Sequence, residues 1–442
     1  MLPRCRTEGD TYSIPKFDLS KEDLNAFGEE LRGFHSQFSD CFSRSEPREN
    51  FYQYMSGQLS ELERKSTEPI AIKIEGGKVR AMQHTISGVA WDEEKMIKRY
   101  RRMVNEDMGD PDGVLISDES GFVKKGGDSA GVAKQYCGPI GKVENCQVGV
   151  FAAYASPHGY ALSDKRLFIP EKWFNDEYLV RREKCRIPES AEFSTKPQLA
   201  VEMFQDIGSS DDIPFKYIVA DSIYGQSPDF IEAIDKCVGK IYMVSVSGDT
   251  LCRLKEPSVI RKTYTYKGET RSEDVVKYPE NKPVTVKSLA ETFNSFFWYK
   301  RTVSEGTKGP IEYEFTKKEV ILAKGGLPRK HVWLIIKRTT GDNPTYYYNI
   351  SNAPVSTRLK LFVWLSGIRW ATEQCFEETK TVSGMDHYEV RKFSGWNHHI
   401  LTCMSAHFFL WHMKIKLGEK NAGYYDIAAQ NFDKCGATIE SF

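Results

Sequence analysis

Two apolar runs in this chain end in an aspartate, and a glycine-containing turn follows each at once. They are Val114-Leu115-Ile116-Ser117-Asp118, before Ser120-Gly121, and Phe215 to Ala220 with Asp221, before Tyr224-Gly225. A short apolar run bounded by turn residues reads as a buried strand. Both carboxylates are therefore expected at a sheet edge, where α/β proteins place their chemistry. Taken singly, an aspartate in such a place is more often a turn or helix cap. The two lie too far apart in sequence to form a local metal-binding loop, so their pairing depends on the fold.

The segments around them set that fold. Gln147 to Tyr154 and Tyr160 to Ile169 read as strands that complete an antiparallel meander with the first run. Thr195 to Ile207 and Pro228 to Cys237 carry helical periodicity, and Ile241 to Val246 is a further strand. Meander, helix, strand, helix, strand is an α/β order. Between Ser247 and Thr357 the helical period disappears, and stretches such as Val284-Thr285-Val286, Phe296-Phe297-Trp298-Tyr299 and Val332-Trp333-Leu334-Ile335-Ile336 predict a β-rich insertion. The period returns from Leu359, through Glu373 to Lys380, and again from Trp396 to Ile415.

Ahead of the first strand, Leu19 to Met103 is helical. Leu24, Phe27, Leu31, Phe34 and Phe38 recur at spacings of three and four, and Ser20 with Asp23 resembles a capping pair. The last helix, Asp92 to Met103, opens with acidic residues and closes with Lys98, Arg99, Arg101 and Arg102. That arrangement suits the helix dipole at least as well as it suits contact with a polyanion. Four segments follow from this pass: a helical region over 1–108, a first core part over 109–247, the insertion over 248–357, and a helical completion of the core over 358–442.

With 442 residues, 40% of them hydrophobic, the chain buries a large core. Lys and Arg number 61, as do Asp and Glu, so any affinity for nucleic acid must come from local basic patches. The ten cysteines are scattered without a C-x-x-C pair, which points to a reducing cytosol and no structural zinc. No apolar run approaches the roughly 20 residues of a membrane span, so a cytoplasmic location is expected.

A third carboxylate is expected on the helix after the insertion, where Arg369, Glu373 and Lys380 share one face. On a lone helix that pattern would be read as salt bridges. Carboxylates around Mg²⁺ have a definite use in phosphoryl transfer, and hard oxygen ligands suit that ion without His or Cys. Glu377 and Glu378, one turn beyond Glu373, are alternatives for the third acid. His387, His398 and His399 lack further soft ligands at zinc spacing and are expected to be buried or DNA-facing, and Trp298 and Trp333 are read as packing.

Longer stretches carry a resemblance. Ile116-Ser117-Asp118-Glu119-Ser120-Gly121-Phe122-Val123-Lys124-Lys125-Gly126, the run Gln135 to Val148, Leu167 to Trp173, Val219-Ala220-Asp221-Ser222-Ile223-Tyr224-Gly225, Arg369-Trp370-Ala371-Thr372-Glu373 and Asp386-His387-Tyr388-Glu389-Val390-Arg391 occur in collinear order. Together they resemble insertion-sequence transposases of the 701 type, DDE superfamily endonucleases related to the broader insertion-sequence 4 class. That class carries Tyr, Arg, Glu and Lys in series. Arg369, Glu373 and Lys380 match the last three, while Ser366 stands where the class has its Tyr.

The resemblance implies an α/β, ribonuclease H-like catalytic core with a β-rich insertion and helical N-terminal and C-terminal regions. Asp118, Asp221 and Glu373 would be its catalytic acids and metal ligands, holding two Mg²⁺ ions that Mn²⁺ can replace. It further implies cut-and-paste transposition: cleavage at element ends, then strand transfer into target DNA. Lys124, Lys125, Arg369, Lys380, Arg391 and Lys392 are the expected contacts to DNA phosphates. The expected partners are double-stranded DNA, as terminal repeats and target, and a second copy of the chain on that DNA; the expected location is nucleoid-associated. The alternatives are a domesticated DNA-binding derivative and a nuclease that only hydrolyses.

Overall fold

The computed structural model describes residues 21–420 except 238, 268, 279–281 and 307–308. The Ser20–Asp23 capping pair and Leu24 lie outside the residues whose side chains are described, as do Cys5 and Cys435. Over the described residues the chain divides into two compact units, one holding 21–216 with 369–420 and the other 217–368. The expected insertion, 248–357, lies wholly within the second of these, while the expected segments 109–247 and 358–442 are each split between the two.

The first unit begins with helices α1 (Lys21–Ser36), α2 (Ser45–Gln58), α3 (Thr67–Lys73), α4 (Val79–Ser87) and α5 (Glu93–Met108). Leu31, Phe34 and Phe38 are buried, as their spacing predicts. Asp92 caps α5 by accepting the Lys95 N–H at 3.1 Å. The cations that close α5 are each engaged by a carboxylate. Arg99 bonds Asp40 at 2.7 and 3.1 Å, Arg102 bonds Asp212 at 2.9 Å, Lys98 bonds Glu94 at 2.6 Å, and the buried Arg101 bonds the buried Asp164.

Strands β1 (Val114–Val123), β2 (Ala133–Cys137), β3 (Lys142–Ser156) and β4 (Gly159–Phe168) follow. β3 is central, antiparallel to β1 along one edge and to β4 along the other, which is the meander read from sequence. β2 was not foreseen. It pairs with the N-terminal end of β3 and folds back so that a Cβ on Gly121 would meet Cys137 Sγ at 2.6 Å. After α6 (Leu179–Cys185) comes α7 (Lys196–Ser210), which opens with a full capping box between Thr195 and Gln198.

The second unit starts with β5 (Tyr217–Ala220), α8 (Ser222–Gly225), α9 (Pro228–Asp235) and β6 (Ile241–Val246). β5 and β6 are parallel. The chain thus has the order meander, helix, strand, helix, parallel strand, and the fold is mixed α/β with helices at both ends, the order expected from the sequence.

The insertion contributes β7 (Leu251–Arg253), β8 (Val259–Tyr266), β9 (Glu269–Val276), β10 (Val284–Thr285), α10 (Val286–Glu291), β11 (Tyr299–Gly306), β12 (Gly309–Lys324), β13 (Leu327–Thr339) and β14 (Tyr346–Ser351). It is β-rich as expected, with one short helix where Thr285 caps Ser288 N–H at 3.1 Å. β14 pairs antiparallel with β6, so the insertion extends the sheet of β5 and β6. Trp298 lies beneath the Arg338 guanidinium, 3.9 Å from its ring centroid, and Trp333 lies beneath Lys317 at 3.9 Å. α11 (Leu359–Ile368) completes this unit.

The chain re-enters the first unit as α12 (Trp370–Ser383) and α13 (Phe393–Lys420). From Trp396 to Phe409 nearly every α13 side chain is buried, polar ones included, because helices α2, α4, α5 and α12 and strand β4 pack around it. Among the described residues no helix is long and apolar enough to cross a membrane.

Candidate active site

Asp118 lies in the middle of β1, opposite Phe151 of β3. Side chains alternate along a strand and cross-strand partners share a face. Asp118, Phe122 and Phe151 therefore share one face of the meander, and Glu119 looks to the other. Each face has its own helix. On the Glu119 side, Lys196 of α7 places Nζ 2.8 Å from the Glu119 carboxylate. On the Asp118 side, Phe376 of α12 packs against Phe151 with ring centroids 5.1 Å apart, and Lys380 of α12 lies 5.9 Å from the Phe122 ring centroid. The Asp118 carboxylate accepts the Glu119 N–H on Oδ1 at 2.8 Å.

Rotation about α12 separates its glutamates. The helix buries Ala371, Thr372, Cys375, Phe376, Thr379 and Ser383. Arg369, Glu373 and Lys380 share one flank by helical spacing, and Lys380 brings that flank to Phe122 of β1. Glu378 forms the other flank, accepting from Tyr160 of β4 at 2.7 Å and from Gln374 at 3.0 Å, with His407 of α13 at 2.8 Å. Burial would raise the Glu378 carboxyl, but His407 and Tyr160 hold it below its ordinary value. Glu378 is thus tied into the interior. Glu373 is 56% exposed, and Arg369 donates to it from 3.3 Å. Glu377 is also exposed.

Asp221 ends β5 and caps α8, accepting the Ile223 N–H on Oδ1 at 2.9 Å. Both aspartates are thus oriented by a main-chain donor; Asp221 stands at a strand end as expected, whereas Asp118, expected at one as well, lies within β1, whose pairing with β3 continues to Val123. Gly225 allows α8 its close approach, since a Cβ there would stand 1.9 Å from the Ser245 carbonyl oxygen. Among the described residues no group of three or more His, Cys, Asp or Glu is close enough together to hold a metal ion. Carboxylate oxygens are the donors that a hard divalent cation takes.

The basic residues fall into different settings. Lys125 and Arg391 are exposed, Lys392 is half-buried, and Arg391 stands 4.0 Å from Asp128. Lys380 is half-buried, and burial lowers its amine despite Asp386 nearby. Lys124 is turned inward: Nζ donates to the Tyr388 carbonyl at 2.8 Å.

The histidines are structural. His398 is buried against Trp91, the rings 4.0 Å apart and nearly parallel, with Nδ1 2.9 Å from the Ile86 carbonyl and Nε2 3.1 Å from Glu93. His399 Nε2 donates to the Met385 carbonyl at 3.1 Å and Nδ1 accepts from Tyr54 OH at 2.8 Å; burial pushes this imidazole down to about 3.

Gln147 and Tyr388 are the residues whose part sequence reasoning missed. Tyr388 OH donates to Gln147 Oε1 at 2.8 Å, a bond between distant motifs that no local periodicity signals.

A family model of the DDE superfamily endonucleases matches residues 37–310. This chain belongs to that family. Over 186 residues the chain is 27% identical to a protein of Microchaete diplosiphon described as a probable transposase for insertion sequence element IS701. That match covers 41% of this chain and 44% of the relative, so it spans less than half the relative's length. A piggyBac transposase, solved by cryo-EM as a synaptic complex with hairpin DNA, aligns over 92% of this chain and 78% of its own chain, with a TM-score of 0.41 and 7% identity. Enzymes of the DDE superfamily generally use divalent metal ions.

Proposed function

We propose that this endonuclease is a DNA transposase, cutting at the ends of an insertion element and joining them to target DNA, with Asp118, Asp221 and Glu373 as its catalytic acids. The observation that carries the reading is the covering of the Asp118 face by α12. Phe376 seats the helix on the cross-strand neighbour of Asp118, and Glu373 stands one turn before Phe376 on the flank that Lys380 brings to Phe122 of β1. The same rotation commits Glu378 to Tyr160 and His407, which favours Glu373 as the third acid.

Asp118, Asp221 and Glu373 do not form a metal-binding group among the described residues, and membership of the DDE superfamily is what supports their holding Mg²⁺, with Mn²⁺ as a substitute and two ions as the working number. Bound there, the ions would activate the attacking oxygen and steady the leaving one in an in-line displacement. The chain's own work is mostly orientation and charge. Main-chain donors at Glu119 and Ile223 aim the two aspartates. Arg369 and Lys380 flank Glu373 and carry positive charge toward a bound phosphodiester, with Lys125, Arg391 and Lys392 as further contacts. Water attack would release the 3′-hydroxyls of the element, and those hydroxyls would then attack target phosphodiesters. Holding two ends together calls for at least two copies on DNA.

The test is cleavage and joining of labelled DNA bearing the element's own flanking ends, in Mg²⁺ or Mn²⁺, with wild type beside Asp221→Ala. The expected result is cutting and joining by wild type alone, with both proteins binding the ends. Binding without cutting in either metal would replace the reading with a DNA-binding derivative, and cutting without joining would reduce it to a nuclease.

A further inference from the structure

We infer that Lys124 is a positioning residue: through Tyr388 it locks the end of β1, the strand of Asp118, to the loop that follows α12, the helix of Glu373. What the lock positions rests on the function proposed above, while the lock itself stands on geometry. Lys124 Nζ donates to the Tyr388 carbonyl at 2.8 Å and lies 3.2 Å from the centroid of the same residue's ring. One ammonium thus grips both the backbone and the side chain of Tyr388.

Tyr388 is buried and fixed from other sides as well. Its hydroxyl donates to Gln147 of β3 at 2.8 Å, whose amide donates to the Ala130 carbonyl at 2.6 Å. Phe122 of β1 and His399 of α13 pack on its ring at 5.6 and 5.0 Å. The loop joins α12 stiffly. Gly384 caps the helix in the left-handed region, its N–H bonded to the Lys380 carbonyl at 3.1 Å, and Met385 N–H bonds the Thr379 carbonyl at 3.3 Å. At its far end the loop is held by Ala130 N–H on the Arg391 carbonyl at 2.9 Å. A shift of Tyr388 would therefore be passed to α12.

Lys124 was expected at a DNA phosphate, and its setting argues against that role. Burial pulls its amine down to about 7 even though Asp386 and Glu389 lie near enough to favour the charge. Phosphate-contacting lysines work from a hydrated, accessible position, as exposed Lys125 next door offers.

Two measurements decide the matter, and neither depends on catalysis. In wild type, the rate at which an amine-reactive acylating reagent modifies Lys124 should be the same with and without DNA; protection by DNA would overturn the lock. In Lys124→Met, backbone hydrogen exchange over 384–392 should quicken about tenfold or more, while the salt dependence of end binding stays as in wild type. Unchanged exchange with a log–log salt slope smaller by about 1 would mean a phosphate contact instead. If the wild type also cuts, Lys124→Met should lower the single-turnover rate at saturating DNA by roughly tenfold or more, and Lys124→Arg, which keeps a donor and a cation over the ring, should recover most of it. A protein that cuts nothing but passes the labelling and exchange tests would refute the proposed function and keep the lock.

Discussion

The ring of Phe376 meets that of Phe151 edge-on, centroids 5.1 Å apart, and Phe151 is the residue opposite Asp118 in the β1–β3 ladder. This contact gives α12 its rotation over the sheet. One flank of the helix then carries Arg369, Glu373 and Lys380, the last of them near Phe122 of β1, and the other delivers Glu378 to Tyr160 and His407. Aromatic pairs of this kind stabilise by about 0.5–1.5 kcal/mol beyond the area they bury.

The three glutamates of α12 should separate cleanly. Glu373→Gln is expected to reduce metal-dependent cleavage by about 10²-fold or more, the scale for removing one transition-state charge contact, with the thermal midpoint little changed because the side chain is exposed. Glu377→Gln should alter neither. Glu378→Gln should lower stability by about 1–3 kcal/mol, the cost of weakening a buried hydrogen-bonded carboxylate, as read from urea unfolding. A cleavage defect confined to Glu377→Gln would move the third acid there.

Gly225→Ala tests the seat of Asp221. The added Cβ would stand 1.9 Å from the Ser245 carbonyl oxygen and 2.9 Å from its carbon, both of them backbone atoms of β6. Accommodation requires α8 to move, at about 1–3 kcal/mol. Asp221 caps α8, so cleavage should fall as well. An unchanged urea midpoint would show that α8 and β6 do not approach so closely.

Acid should destabilise the protein in two stages. The folded state holds His399 down to about 3 from 6.5, chiefly through burial, so the stability tied to its neutral ring is complete above pH 6.5 and is lost as pH falls toward 3. Glu93 is held down to about 2 from 4.5 against its own burial, by Lys165 and His398, and its contribution is lost only as pH falls from 4.5 toward 2. Between pH 6.5 and 4.5 His399 is therefore the active group of the two, worth up to about 1.4 kcal/mol per pH unit. His399→Gln should flatten the stability curve in that window, as measured by urea unfolding at a series of pH values. A slope there equal to that of wild type would place the titrating group elsewhere.

The basic end of α5 should prove structural. Breaking the buried Arg101–Asp164 pair by Arg101→Met is expected to cost about 3–5 kcal/mol. Arg99→Ala and Arg102→Ala should leave the salt dependence of DNA binding unchanged, because Asp40 and Asp212 already hold those side chains. A slope reduced by about 1 in either variant would assign that arginine to a phosphate.

Local rules in the sequence determined much of this protein. Ile241–Val246 was legible to the residue, Thr195 announced the start of α7, and Asp221 was recognisable at a strand end, because periodicity, caps and turn residues act over a few positions; Asp118, expected at a strand end too, lies mid-strand because β1 pairs with β3 as far as Val123. Only the tertiary structure decided how those pieces are used. The cations of α5 were free to meet DNA until Asp40, Asp164 and Asp212 arrived from distant parts of the chain. Glu373 was preferred, with Glu377 and Glu378 as alternatives, and only the fold tied Glu378 to Tyr160 and His407; Lys124 was expected at a phosphate until Tyr388 folded over it. A side chain's charge is written in its own codon, but its partners and its burial depend on residues hundreds of positions away, and those fix what the charge does.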